Sequence, residues 1–318
     1  MNERQAKLRS IAGSLLAEGR VSLFIGFGPG LEPSRPVPWF AKNADEAGKL
    51  VLDPFCGPGL ARYLLDETAA GPAGIVARGC DGLGLERLVA DKRVGRDQVY
   101  VVGVACRGAV DPDKARRLAG RPVFGAEVNG ETVALTTAGG RLSFPRSDCL
   151  LDRCLACADP SPRTADTWLE EPLPGAQREF EGVEALEKLG PDDRYAFWAR
   201  HLERCLRCHA CRNACPACNC VACSLDNPEW LERTTGLADH FMFHFTRAYH
   251  VAGRCVACGE CQRACPVGIP LMLLNEKFMK DIRDLFAVPD PHRPQEAEPL
   301  GHFSPDDPEG WREGDETL

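Results

Sequence analysis

The stretches CLRCHACRNACP (205–216) and CVACGECQRACP (255–266) are two copies of one pattern. Each spaces its cysteines C-x2-C-x2-C-x3-C and closes on proline: Cys205, Cys208, Cys211, Cys215 before Pro216, and Cys255, Cys258, Cys261, Cys265 before Pro266. In bacterial two-cluster ferredoxins such a run gives three thiolates to one [4Fe–4S] cluster and the fourth to the other. Three closely spaced cysteines wrap three corners of a cubane with successive backbone turns. The proline then ends the loop, and the chain crosses to the second cluster. The pattern assigns Cys205, Cys208, Cys211 and Cys265 to one cluster, and Cys255, Cys258, Cys261 and Cys215 to the other. Structural zinc also uses C-x2-C pairs, but a tetrahedral site gives no reason for an eight-cysteine, proline-ended repeat. The expectation is a two-cluster ferredoxin-like domain, α+β or helical, over 193–288.

Working outward, the two runs are separated by about forty residues that include LADHFMFHFTRAYHVAG (237–253), which reads as a helix. His240 and His244 lie one turn apart and share a face. Without the acidic partner of a zinc-protease motif, they read as packing or partner-docking residues, as does His250 nearby. Cys218, Cys220 and Cys223 crowd CPACNCVACS just after the first run. Two readings stay open: an extra metal or cluster completed by a ligand from elsewhere, or small buried hydrophobes.

The first half repeats a different pattern, an apolar run ending in a Gly- or Cys-containing loop before a helix-like segment. VSLFIGFGPG (21–30), KLVLDPFCGPGLARYLLDE (49–67), GIVARGCDGLGLERLVADK (74–92) and QVYVVGVACRGAVD (98–111) all follow it. Strands alternating with helices predict an α/β domain with a mostly parallel or mixed sheet. Ligands sit beyond the carboxyl ends of such strands, and Cys56, Cys80 and Cys106 fall in those loops. Residues 121–144 alternate as hairpins, with Asn129-Gly130 as a turn signal. Residues 171–192 read as a linker, and 289–318, rich in Pro, Asp and Glu, as a mobile or partner-bound tail.

The chain has 318 residues, 17 cysteines and a net charge of −8. That acidity argues against a nucleic-acid binder, which needs a basic stripe. No apolar run approaches the roughly 18 residues of a membrane span. The N-terminus lacks a signal core and reads as a helix with Leu8, Ile11, Leu15 and Leu16 on one face, stopped by Gly19. In a long chain of this kind, expected to be cytoplasmic, clustered cysteines point to metal or redox sites rather than disulfides.

Cys154 and Cys157 form a C-x2-C pair, enough for two cluster corners, and Cys80 and Cys106 at adjacent strand ends can supply two more. Cys56 competes for a place, and Cys149 is spare. GIVARGCDGLGLERLV (74–89), VYVVGVACRG (99–108) and CLACADPSPRTAD (154–166) together resemble the coenzyme F420 hydrogenase/dehydrogenase beta-subunit family over about residues 1–170. The resemblance favours the same four cysteines around a third [4Fe–4S] cluster and implies a flavin, usually FAD, beside it. It also implies redox partner subunits of hydrogenase, formate dehydrogenase or heterodisulfide-reductase-like complexes. The first half is short for the family's catalytic subunits, and the family uses several acceptors, so no acceptor is selected.

For the flavin, Gly26-x-Gly28-x-Gly30 is not the dinucleotide fingerprint, because no helix opens after it, and it reads as a turn. Gly79, Asp81, Gly82 and Gly84 precede a helix-like segment whose N–H groups can approach a phosphate. Gly57 and Gly59 offer a second such loop, with Arg78, Lys92 and Arg107 as candidate phosphate partners. The reading that results is an electron-transfer subunit linking a flavin to [4Fe–4S] clusters. Its rivals are a flavin-free iron–sulfur adaptor and a zinc-stabilised scaffold.

Overall fold

Hydrophobic strands alternating with capped helices build the first half around a mixed sheet. The computed structural model describes residues 3–227, 236–295 and 298–301. Helix α1 (Glu3–Ala17) buries Leu8, Ala12 and Leu15, with Ile11 and Leu16 partly covered on the same core. Strand β1 (Leu23–Gly28) is buried along its whole length and is followed by β2 (Val37–Ala41) and α2 (Ala44–Ala47). Then come α3 (Leu64–Glu67), β3 (Ala73–Ala77), α4 (Gly79–Ala90) and β4 (Val99–Gly103). Helix α5 (Pro112–Ala119) begins under the Asp111 cap, whose carboxylate accepts from Asp113 and Lys114 N–H.

A three-stranded meander follows: β5 (Val123–Asn129), β6 (Thr132–Thr137) and β7 (Gly140–Pro145). Its first turn is a two-residue connection with Gly130 at φ +55, a conformation glycine reaches without a Cβ penalty. Short helices α6 (Arg146–Cys149) and α7 (Asp152–Leu155) lead to β8 (Thr167–Trp168). The main sheet has the order β2-β1-β3-β4-β8; β1, β3, β4 and β8 run parallel and β2 is an antiparallel edge.

Among the described residues beyond Trp168 the elements are helical: α8 (Glu181–Glu187), α9 (Pro191–Leu202), α10 (Ala210–Asn213), α11 (Leu237–His250), α12 (Glu260–Arg263) and α13 (Leu271–Phe286). Helix α11 packs between α9 and α13.

The structure departs from the sequence reading in four places. Gly26 and Gly28 lie inside β1 rather than in a turn, because a Cβ at Gly28 would sit 2.9 Å from the Trp39 ring. The apolar run before Cys56 forms only an isolated bridge, Val51 to Phe27. Within 171–192, α8 and the buried Phe180, Val183 and Arg178 are packed; Arg178 pairs with Glu276 of α13. The described part of the tail is also docked, His292 Nε2 lying 2.7 Å from Asp159 and Glu298 pairing with Arg87. Residues 302–318 lie outside the described residues.

Candidate metal centres

Cys205, Cys208, Cys211 and Cys265 line one small cavity together, walled by Phe243, His244, Ile269 and Leu271. The last cysteine of the second run thus joins the first three of the first run, as the crossing pattern requires. Local backbone explains how. In each run the residues on either side of the second cysteine are left-handed: Arg207 (φ 49) and His209 (φ 61), then Ala257 (φ 53) and Gly259 (φ 66). Left-handed non-glycine residues cost roughly 1–2 kcal/mol each. They turn successive amides inward, so Arg207 N–H donates to Cys205 Sγ at 3.4 Å. Ile269 N–H likewise reaches Cys265 Sγ at 3.4 Å. Such N–H donors suit thiolate sulfur.

Cys215, Cys255, Cys258 and Cys261 form the second group, each buried and next to the others. Burial, with Cys215 close by, pushes Cys255 up to about 11 and Cys258 well above its ordinary value. Burial likewise pushes Cys261 up to about 12. Bare thiolates are therefore costly at those three positions, and a cationic iron core offsets that cost, whereas the hydrogen bond from the Cys218 thiol holds Cys215 down to about 6. Asn275 on α13 adds an Nδ2 donor at 3.3 Å from Cys261 Sγ.

Cys80, Cys106, Cys154 and Cys157 share the wall of a third cavity, at the carboxyl ends of β3 and β4. The 154–162 loop crosses these strand ends, its Pro160 carbonyl accepting from Cys106 N–H. Burial raises the Cys80 and Cys106 thiols and takes Cys157 up to about 11. Ala109 N–H donates to Cys154 Sγ at 3.4 Å. Cys56 stays outside this wall, its Sγ turned to the Val51 carbonyl and the Asp53 carboxylate. Cys149 is fully buried in the core beneath the meander. Val256 and Ala257, between Cys255 and Cys258, form part of the same third cavity's wall. Cys80 packs on the cluster of Leu83, Val256 and Cys258. The second and third groups are therefore in direct contact.

The glycines read as a phosphate cradle do not form one. A Cβ at Gly79 would lie 1.7 Å from the Asp159 carbonyl oxygen, one at Gly82 2.6 Å from Pro162, and one at Gly84 2.6 Å from Ala61. These positions are filled by protein, because α4 must approach the 159–162 loop and residue 61 closely. Asp81 is 1% exposed and bonded to Arg78 and to Leu60 N–H. Arg78 is spent on Asp81 and on the carbonyls of Cys56, Gly57 and Pro58. Gly59 abuts the Glu260 side chain, and Lys92 is exposed in the turn after α4. Gly57 borders a different cleft, of about 490 Å³, between the two halves. Of the candidate cofactor residues, Arg107 and Arg78 line the cleft of about 300 Å³ between residues 104–109 and 126–129, and of these two Arg107 is the exposed one. Cys106 borders both this cleft and the third cysteine cavity.

Residues 201–269 match the family described as a 4Fe-4S dicluster domain. The F420-dependent formate dehydrogenase subunit beta of Methanocaldococcus jannaschii is 24% identical over 312 residues, covering 78% of this chain and 81% of the relative. The F420-dependent formate dehydrogenase 1 subunit beta of Methanococcus maripaludis is 24% identical over 307 residues, covering 75% and 78%. This chain resembles those beta subunits. Among solved structures, the xenon-derivatised F420-reducing [NiFe] hydrogenase complex of Methanosarcina barkeri aligns at 18% identity and TM-score 0.42, over 50% of this chain and 60% of that one. That likeness is too partial to bear on the fold, and the chain spans less than two thirds of that structure's chain.

Several residues that shape this beta-subunit-like chain's centres escaped the sequence reading. Arg153 pairs with Glu260 and also donates to the Cys258 carbonyl at 2.6 Å. Asp159, two residues after Cys157, holds His292 and Arg293. Each is a single charged residue beside a cysteine, with no local spacing to mark it. His244 and His240 are buried, and His244 Nε2 lies 3.2 Å from Cys205 Sγ while His240 Nδ1 meets the Leu202 carbonyl. Cys218, Cys220 and Cys223 border a separate cavity with Arg62, Arg247 and Arg254. Among the described residues no three His, Cys, Asp or Glu side chains gather tightly enough for a single metal ion.

Proposed function

We propose that this chain is an electron-transfer subunit of an oxidoreductase complex, relaying electrons between a flavin and a line of three [4Fe–4S] clusters. One observation carries the reading: Val256, Ala257 and Cys258 of the second ferredoxin run lie against the cavity of Cys80, Cys106, Cys154 and Cys157. The resulting order is Cys80/Cys106/Cys154/Cys157, then Cys255/Cys258/Cys261/Cys215, then Cys205/Cys208/Cys211/Cys265. Cys208 is exposed at the far end, where a partner subunit can reach. The beta-subunit relatives supply the class of partner: the other redox subunits of a formate dehydrogenase or hydrogenase-type complex. Among the described residues no helix is long and apolar enough to cross a membrane.

The flavin is assigned to the cleft bordered by Arg107 and Cys106. It lies beyond the carboxyl ends of the parallel strands, where α/β sheets take ligands. Bound there, a flavin would exchange two electrons as a hydride and pass them on singly. The chain's own residues hold the arrangement. Arg107 offers a charge for a phosphate, and Cys106 places the nearest candidate cluster ligand at the cleft wall. The packed glycines of α4 favour a second reading, a flavin-free iron–sulfur wire.

The test is the flavin-to-protein ratio after anaerobic purification, by acid release and chromatography. A ratio near one supports the flavin relay. A ratio near zero after attempted reconstitution, with clusters intact, leaves the wire, and a colourless protein would sink both.

A further inference from the structure

Arg247 lies on α11, the insert separating the two cysteine runs, and only 1% of its surface is exposed. Its Nε, Nη1 and Nη2 all lack hydrogen-bond partners among the described residues. A guanidinium has five N–H donors and stays charged in proteins, and a buried ion left unpaired costs several kcal/mol. It borders a cavity with Cys218, and the thiols of Cys261, Cys211, Cys215 and Cys218 act on it electrostatically. Cys211 belongs to one group of four, and Cys215 and Cys261 to the other, so thiols of both groups act on the guanidinium. One turn earlier, His244 faces Cys205 Sγ. In its Nε2–H tautomer that ring donates to the sulfur, 3.2 Å away.

We propose that α11 is an electrostatic insert that raises the reduction potentials of both ferredoxin-type clusters, with the Arg247 guanidinium as their shared counter-charge. A cubane held by four thiolates is anionic and gains a further negative charge on reduction. A fixed positive charge in a low-dielectric interior therefore stabilises the reduced form more. The N–H donor from His244 acts in the same sense on the cluster bound through Cys205. Arg247 is a positioning residue, acting through the clusters. The inference rests on the assignment of the eight ferredoxin-type cysteines.

The test is a redox titration followed by electron paramagnetic resonance on anaerobically purified full-length holoprotein, comparing Arg247→Gln and Arg247→Lys with the parent. Gln should lower both ferredoxin-type midpoints, Lys should hold them near the parent's, and the cluster at Cys80, Cys106, Cys154 and Cys157 should not move. Parental midpoints in a fully iron-loaded Gln variant would overturn the proposal. If Gln loses iron, the Lys variant decides. Assembly with parental midpoints supports the counter-charge, and loss of iron there too overturns it in favour of a steric role. Failure of the underlying cysteine assignment would show separately, as a Cys258→Ser protein with undiminished iron.

Discussion

Arg153 and Glu260 form an ion pair across the two halves of the chain, each standing one residue ahead of a candidate cluster ligand, Cys154 and Cys261. Their side chains are 6% and 4% exposed. Burial works against the Glu260 charge, but Arg153 and Arg263 hold its carboxyl down to about 2. A Cβ on Gly259 would meet the Arg153 side chain at 2.6 Å, so the arginine fills the joint between the halves.

Breaking that pair leaves the buried Glu260 with Arg263 as its remaining ion-pair partner and takes a charged donor from the Cys258 and Gly57 carbonyls. Arg153→Met should lower the unfolding free energy by about 3–5 kcal/mol, whereas Arg153→Met combined with Glu260→Leu should recover most of it. Denaturant melts of the holoprotein measure both. A single variant within about 1 kcal/mol of the parent would show that the joint is held by other contacts.

Iron content separates the competing cysteines. Cys80→Ser should lose about four irons per chain, the content of one cubane. Cys56→Ser, which alters a sulfur turned toward Val51 and Asp53, should lose none. The reverse pattern would exchange their roles.

Flavin retention distinguishes the cleft from the packed glycines. Gly84→Ala forces a Cβ to 2.6 Å from Ala61 and should cost about 1–3 kcal/mol, leaving the flavin ratio of the folded fraction unchanged. Arg107→Ala touches an exposed side chain, so it should leave the melt alone and weaken flavin retention severalfold. Equal flavin ratios in the parent and Arg107→Ala would remove Arg107 from the site.

The stretch before α9 should behave as part of the packed structure. Phe180 is 2% exposed, with the Arg283 guanidinium 4.8 Å from its ring centroid. Phe180→Ala should cost about 3–5 kcal/mol, as for other buried phenylalanines. A cost below about 0.5 kcal/mol, typical of surface positions, would restore the linker reading.

Much of the candidate site was readable along the chain. The two proline-ended runs state their pairing in their spacing, and the structure places Cys265 with Cys205, Cys208 and Cys211. Cys80 and Cys106 were visible as the ends of apolar strands, and Cys154-x2-Cys157 as a local pair. The glycines of α4 misled, because the same residue serves a backbone that must approach a phosphate and one that must approach a neighbouring loop. The linker and tail misled for a related reason: their polar composition hides Phe180, Val183 and His292, which are buried only by partners far away in sequence.

Short-range spacing was enough to define the cysteine runs, since a cubane is wrapped by three ligands within one or two turns of chain. Strand ends and capped helices were equally local. What the tertiary structure alone decided was the juxtaposition of charges and centres: Arg153 against Glu260, the buried Arg247 beside Cys218, and Val256 against the Cys80 cavity. Electrostatic and packing energies depend on distance through space. Residues more than a hundred positions apart therefore came to share one buried environment, and no local pattern records that.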